Sequence, residues 1–287
     1  MQRCALAFVM IALAAGTVAA QPMAGSPTFA TLDRQDGESR VGAALGWTFF
    51  DTNGTGDFST LRLDVYGHYV SPGGLGAYGL LPVSFVFTDD DTPLFNDNQS
   101  ATGNVEGGVL YVIRNGLNDF VLRGGITLPT ADDDEGILVN FFGTFPRLTD
   151  IALAYPETFW LRLGVSPIFR TGQFVIRLDG GLDFAVSSDT EEPDPIVRLN
   201  VGAGIDTGSV AILGELVTVG SPGDNNAESP DPVVFGDEEE DFVHTAAISG
   251  RFRLGALEPG VALGFPLDED IREGIEFFLI ASLQGRI

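Results

Sequence analysis

TFWLRLGVSPIFRTGQFVIRLDGGLDFAVS, residues 158–187, decides the fold. In its first half Phe159, Leu161, Leu163, Val165 and Phe169 share one parity. In its second half Phe174, Ile176, Leu178, Leu182, Phe184 and Val186 do the same. Apolar residues at every second position mark a strand with one apolar face. Thr171-Gly172 separates the halves, and a two-residue connection containing glycine closes a β-hairpin. Arg162, Arg170, Arg177, Asp179 and Asp183 occupy the opposite face. Each arm reaches the length of about ten residues that a tilted strand needs to cross a bilayer.

The same pattern extends in both directions. Strands are expected at 39–50, 58–70, 75–88, 103–115, 118–129, 158–170, 173–187, 195–206, 208–219, 241–254, 256–267 and 273–286. Val41, Ala43, Leu45, Trp47 and Phe49 form the apolar face of the first, and Ile275, Phe277, Leu279, Ala281 and Leu283 that of the last. The chain has 15 basic residues, all arginine. Those within or bordering strands (Arg40, Arg62, Arg114, Arg123, Arg162, Arg170, Arg177, Arg198, Arg251, Arg253 and Arg286) fall on the face opposite the apolar one. A guanidinium turned toward lipid at mid-bilayer costs roughly 2–4 kcal/mol, which accounts for the segregation. A soluble β-sandwich would produce the same parity. The connections separate the two. Ser71-Pro72-Gly73-Gly74, Asn115-Gly116-Leu117, Thr171-Gly172, Thr207-Gly208 and Gly255 are short. They alternate strictly with long stretches at 51–57, 89–102, 130–157, 188–194, 220–240 and 268–272. Short turns at one end and long loops at the other are the asymmetry of an outer-membrane barrel. The fold expected is all-β, a transmembrane antiparallel up-and-down barrel of about twelve strands, with short periplasmic turns and long acidic extracellular loops.

The N-terminus reads as a cleaved export signal over residues 1–20. Arg3 precedes an apolar run from Ala5 to Ala15, and Val18-Ala19-Ala20 fits the small-residue cleavage rule. Residues 21–38 are expected as a short periplasmic tail and 39–287 as a single barrel domain in the bacterial outer membrane. Cys4 is the only cysteine and lies within the signal, so no disulfide or thiolate chemistry is expected downstream. Mean hydropathy is +0.19 despite a net charge of -25. Fine-scale alternation reconciles the two, and the charge is wrong for a nucleic-acid partner.

One long loop departs from the others. Residues 136–155, GILVNFFGTFPRLTDIALAY, are too apolar for a free surface loop. They are expected to fold into the barrel mouth as a constriction, with Ile137, Phe141, Phe142 and Phe145 as its apolar contacts. The alternatives are burial in the outer leaflet, or an extra hairpin at 137–145 and 148–155 that would give fourteen strands.

Chemistry is sparse. His68 and His244 are the only histidines. His244 lies on the apolar face without a serine of the same parity nearby, Ser249 having the opposite one. It reads as an interfacial residue, and no catalytic residues are assigned. Lumen-lining charges are expected at Arg62, Asp64, Arg123, Arg162, Arg177, Asp179, Asp183, Arg198 and Glu215. Inward guanidiniums keep their charge and would favour anions. No cofactor or firm metal site is expected. Asp132, Asp133, Asp134 and Glu135, with Glu238, Glu239, Glu240 and Asp241, are candidates for weak collective binding of calcium or magnesium.

LRLDVYGHYV (61–70), GAYGLLPVSFVF (76–87), LRGGITLPTA (122–131), LRLGVSPIFR (161–170) and GVALGFPLDEDI (260–271) resemble a broad class of proteobacterial outer-membrane barrels. These are grouped as transporters or with the phenol-degradation meta-pathway proteins. The resemblance is one of texture and spacing over most of the chain. It implies passage of small, often hydrophobic compounds. Where such barrels commonly end in an aromatic residue, this chain ends in Ile287.

The function expected is therefore a passive channel for small solutes, hydrophobic ones among them, and not an enzyme. The alternative is a structural or surface-interaction barrel with a closed lumen, followed by an outer-membrane enzyme. Expected partners are outer-membrane lipid and lipopolysaccharide, the barrel-assembly machinery and small solutes, with the barrel a monomer. Leu163→Arg is expected to block membrane assembly, because it turns a charge toward lipid. Arg162→Leu is expected to be tolerated. Comparing the folded, heat-modifiable fraction of each variant checks the faces of this strand.

Overall fold

The computed structural model describes residues 27–51, 58–88, 94–95, 97–132, 135–188, 193–221 and 242–287. Its strands are β1 (Arg40–Phe50), β2 (Phe58–Val70), β3 (Leu75–Thr88), β4 (Gln99–Thr102), β5 (Val105–Asn115), β6 (Asn118–Leu128) and β7 (Thr158–Thr171). They continue as β8 (Phe174–Ser188), β9 (Ile196–Asp206), β10 (Val210–Gly220), β11 (Phe242–Phe252), β12 (Leu257–Pro266) and β13 (Ile275–Arg286). Among the described residues two helices, α1 (Glu135–Gly143) and α2 (Glu269–Gly274), and a 3-10 segment (Phe145–Leu153) complete the elements.

Every strand pairs antiparallel with a sequence neighbour, and β1 pairs with β13, so the sheet closes into a twelve-stranded barrel with one extra strand. Closure removes both sheet edges. Among the described residues five glycines have positive φ: Gly74, Gly116, Gly172, Gly208 and Gly255. Each sits in one of the short turns anticipated from the sequence, where a tight reversal needs a left-handed backbone.

The extra strand arises at Pro82. Proline has no N–H to give to a ladder. Below it, Leu75–Leu80 of β3 pair with β5, and above it Val83–Val86 pair with β4. Between them Gly103 N donates to Pro82 O (3.1 Å), and Asn104 N donates instead to Leu153 O (2.7 Å), inside the barrel. The expected strand at 103–115 is thus a broken one that begins earlier, at Gln99. No second hairpin forms over 137–155, because α1 and the 3-10 segment occupy it.

Side chains divide as period-two alternation requires. Leu163, Leu178, Leu199, Ile248, Leu263 and Leu279 are exposed on the outer wall, while Arg162, Arg177 and Arg198 point in and are buried. Near the long-loop end Trp47, Phe49 and Phe277 form a row on the outside, with ring centroids 5.1 and 5.2 Å apart. One residue departs from the expected face. The register shift between Thr48 and Phe50 turns Ile275 inward, where it is buried.

Two segments fill the interior. From the long-loop end, α1 and the 3-10 segment descend into the barrel, and every residue from Phe145 to Leu153 is buried. Phe142 meets Phe50 and Phe58 edge-on at 5.1 and 5.3 Å, and those two stack at 4.5 Å. From the short-turn end, residues 28–36 enter and return. Thr28 lies against Arg251 and Gln284, Asp33 reaches Arg198 at mid-wall, and Asp36 pairs with Arg40 at the foot of β1. The expectation of a periplasmic tail over 21–38 therefore needs correcting for its described part. Those residues lie inside the barrel because the buried arginines of the wall draw in their carboxylates and carbonyls. Residues 1–20, the expected export signal, lie outside the described residues.

Candidate functional site

The lumen is the site, and alternation alone puts its charges there. Arg62 and Asp64 on β2, Arg123 on β6, Arg162 on β7, Arg177, Asp179 and Asp183 on β8, Arg198 on β9 and Glu215 on β10 all face inward and are buried. The structure adds Glu106 on β5, Tyr78 on β3 and Glu258 near the short-turn end, where Arg251 is also buried. It also adds charges from the inserted segments: Asp33, Arg34 and Asp36 from the N-terminal one, and Arg147 and Asp150 from the loop.

These groups form one connected network. Arg62 Nε donates to Asp64 Oδ1 (2.8 Å), and Asp64 Oδ2 accepts from Arg34 Nη2 (2.5 Å). Arg34 Nη1 and Arg147 Nε both donate to Asp150 Oδ2, at 2.8 and 2.9 Å. Arg147 also donates to Ala30 O and, at 2.8 Å, to Leu32 O, while Thr149 Oγ1 donates to Thr31 O (3.2 Å). The two inserted segments are thereby fastened to each other at the centre of the barrel. Asp150 is held well below the usual carboxylate range. Burial pushes it up, but Arg147, Arg34, Arg62 and Arg162 together outweigh burial. A depressed folded-state pKa stabilises the folded state above the ordinary carboxylate value of about 4, and that contribution fades as pH falls through the depressed one.

The β6–β10 wall grips the N-terminal segment. Arg123 pairs with Asp33, and Arg198 Nη1 lies 3.1 Å from Asp33 Oδ1. Arg198 Nη2 also donates to Asp183 (2.7 Å), and Arg162 bridges Asp183 (3.2 Å), Glu106 and Thr149 O (2.6 Å). Arg177 pairs with Asp179 (2.7 Å) and donates to Gln35 O (3.0 Å). Glu215 accepts from the backbone of Ala30 (2.9 Å) and Thr31 (2.6 Å) and from the Thr31 hydroxyl (2.7 Å). Gly202 provides the seat for Phe29, since a Cβ there would lie 2.3 Å from its ring.

The sequence located the wall charges, several of which pair with one another, but not the partners supplied by the inserted segments. Glu106 shares inward parity with Arg114 and was legible by that rule. Asp33, Arg34 and Asp36 belong to an aperiodic segment that carries no such signal. Of the constriction residues, Phe145 is buried, and Ile137, Phe141 and Phe142 are half-buried. Of the divalent candidates, the Asp132 carboxylate accepts from Thr102 N (2.7 Å). Asp133, Asp134, Glu238, Glu239, Glu240 and Asp241 and the side chain of Glu135 lie outside the described residues. Among those described, no three His, Cys, Asp or Glu side chains gather as metal ligands. On the outer wall His244 Nδ1 lies 3.0 Å from Thr218 Oγ1, a neighbour overlooked in the sequence. Ser249 points inward and donates to Glu215 (2.5 Å).

No family model matches the chain, and no curated protein does. Solved structures do match. An outer-membrane channel from Pseudomonas putida F1 superposes with a TM-score of 0.63 at 12% identity, over 92% of this chain and 100% of that one. The translocator domain of the autotransporter NalP from Neisseria meningitidis gives 0.51 at 7% identity, over 88% and 90%. The likeness is one of fold, that of a transmembrane β-barrel.

The geometry overturns one expectation from the sequence. Arg162→Leu would leave the buried carboxylate of Glu106 without an ion-pair partner and take one of two from Asp183, and breaking a buried pair from one side costs about 3–5 kcal/mol. The denaturation midpoint of this variant in detergent should fall well below that of the unaltered chain, whereas an unchanged midpoint would mean that these ion pairs contribute nothing.

Proposed function

We propose that this chain is a bacterial outer-membrane channel for small solutes, held shut by two of its own segments. What carries the reading is the nature of the filling. The wall is polar and charged inside and apolar outside, and the space it encloses is occupied by an N-terminal segment and a loop. The N-terminal segment is joined to the wall by ion pairs and hydrogen bonds, and the loop by apolar packing of Phe142 and Phe145 on Phe50 together with hydrogen bonds such as Arg162 to Thr149 O. Such bonds can be exchanged for bonds to water, so withdrawal would leave a hydrated passage. The Pseudomonas putida neighbour, itself an outer-membrane channel, supports the reading. The exposed apolar wall and the export signal expected over residues 1–20 fit the outer membrane, with lipid and lipopolysaccharide around a single barrel. The acidic loops would meet lipopolysaccharide phosphates through calcium or magnesium.

A second reading has its own observation: wall arginines are matched by carboxylates, as a permanently closed structural barrel would require. Planar-bilayer recording of the refolded chain separates them. The unaltered barrel should be closed or open only in brief events. Deleting 138–154 should raise conductance severalfold, because it removes the loop and the Arg147–Asp150 fastening together. Silence from the deletion variant, with the barrel still heat-modifiable, would favour the structural reading.

A further inference from the structure

We infer that Asp33 occupies, from within the chain, a binding site for the carboxylate of a small anionic solute. The inference rests on the channel reading for its biological sense, but the site is defined by geometry alone. Asp33 is the one carboxylate among the described residues within ion-pair distance of Arg123. It is also one of two on Arg198. Around it the wall supplies four guanidiniums, Arg123, Arg162, Arg177 and Arg198, and three carboxylates, Glu106, Asp179 and Asp183. Withdrawal of the N-terminal segment would leave Arg123 without a carboxylate partner among the described residues, a state that calls for a counter-anion.

The site is built to hold one. Gly164 and Gly181 face inward beneath the guanidiniums. A Cβ at Gly164 would stand 2.4 Å from Arg123 Nε, and one at Gly181 would stand 2.5 Å from Arg198 Cζ. Glycine at both positions lets the two side chains lie flat on the wall with their donors turned to the lumen. Arg123 Nε, Arg198 Nε and Arg177 Nη1 are buried without a hydrogen-bond partner among the described residues. The cluster therefore has more donors than Asp33 uses. Guanidiniums offer paired N–H groups matched to carboxylate oxygens, and Asp33 takes only one nitrogen from each, Arg123 Nη2 and Arg198 Nη1. The backbone N–H of Asp33 is meanwhile tied to Asp179 Oδ2 (3.0 Å), so one residue both fills the site and seats the segment that closes the lumen. A solute carboxylate that displaced Asp33 would loosen this closure as it bound.

The test uses the full chain refolded in detergent and in liposomes, with gluconate as the carboxylate probe and glucose as its neutral counterpart. In equilibrium dialysis Asp33→Asn should bind gluconate about tenfold more tightly than the unaltered chain, a tenfold change in binding constant. Adding Arg123→Gln should abolish the gain. Glucose should bind neither. In liposome swelling Asp33→Asn should admit gluconate faster than glucose. Should Asp33→Asn fail to give a heat-modifiable barrel, the unaltered chain still decides. Trypsin cleavage after Arg34 should be faster in gluconate than in chloride of equal ionic strength. Absence of gluconate binding, or equal cleavage rates in the two salts, overturns the site. Gluconate binding without swelling would uphold the site and overturn the channel. Equal swelling with both solutes and no binding would do the reverse.

Discussion

A guanidinium cannot face lipid and cannot be buried alone, and these two prohibitions organise the molecule. The first sends every strand arginine to the inner wall. The second requires an acceptor for each one once it is there. Neighbouring strands meet part of the demand, as in Arg62–Asp64, Arg177–Asp179 and Arg162–Asp183. The rest is met by chain that does not belong to the wall. Arg123 has Asp33, Arg40 has Asp36, and Arg251 donates to the carbonyl of Thr28. The lumen is filled because the wall's charges call segments into it.

Filling from both ends makes the two segments interdependent. Arg147 and Thr149 of the loop hold the carbonyls of Ala30, Leu32 and Thr31, and Asp150 holds Arg34. Neither segment can leave without abandoning buried polar groups on the other. Removing one partner of such a bond costs more than the bond contributes net, so partial withdrawal is disfavoured and the two should move together. On the proposed channel reading, a barrel closed in this way would be rigid at rest and would open as water took over the hydrogen bonds that the two segments gave up.

How much of this was legible in the sequence follows from where the physics is periodic. A strand between lipid and water declares itself at every second residue, so its bounds, its faces and the inward set from Arg62 to Glu215 could be read directly. The glycine turns declared one end. The loop announced its burial through Phe141, Phe142 and Phe145 but not its helical form, because a short helix inside a barrel is apolar on most sides and shows no clean stripe. Pro82 warned of a break in the ladder that the alternation of β3 and β5 concealed. The N-terminal segment was illegible: nothing in TFATLDRQD distinguishes a lumen insert from a solvated tail, since its carboxylates are buried only by virtue of arginines far along the chain, with Asp33 and Arg123 separated by 90 residues. The partner of Arg123, and hence the site around Asp33, depended on that one segment.

The account stands or falls on the N-terminal segment being inside the barrel. Thr31→Cys in a chain carrying Cys4→Ser places a thiol where the native side chain is 1% exposed and bonded to Glu215. Reaction of the folded barrel with a membrane-impermeant maleimide, timed against the same protein after boiling, reads its enclosure directly. The expected result is strong protection in the folded barrel and full reactivity once it is unfolded. Equal rates before and after boiling would place the segment outside and contradict the account.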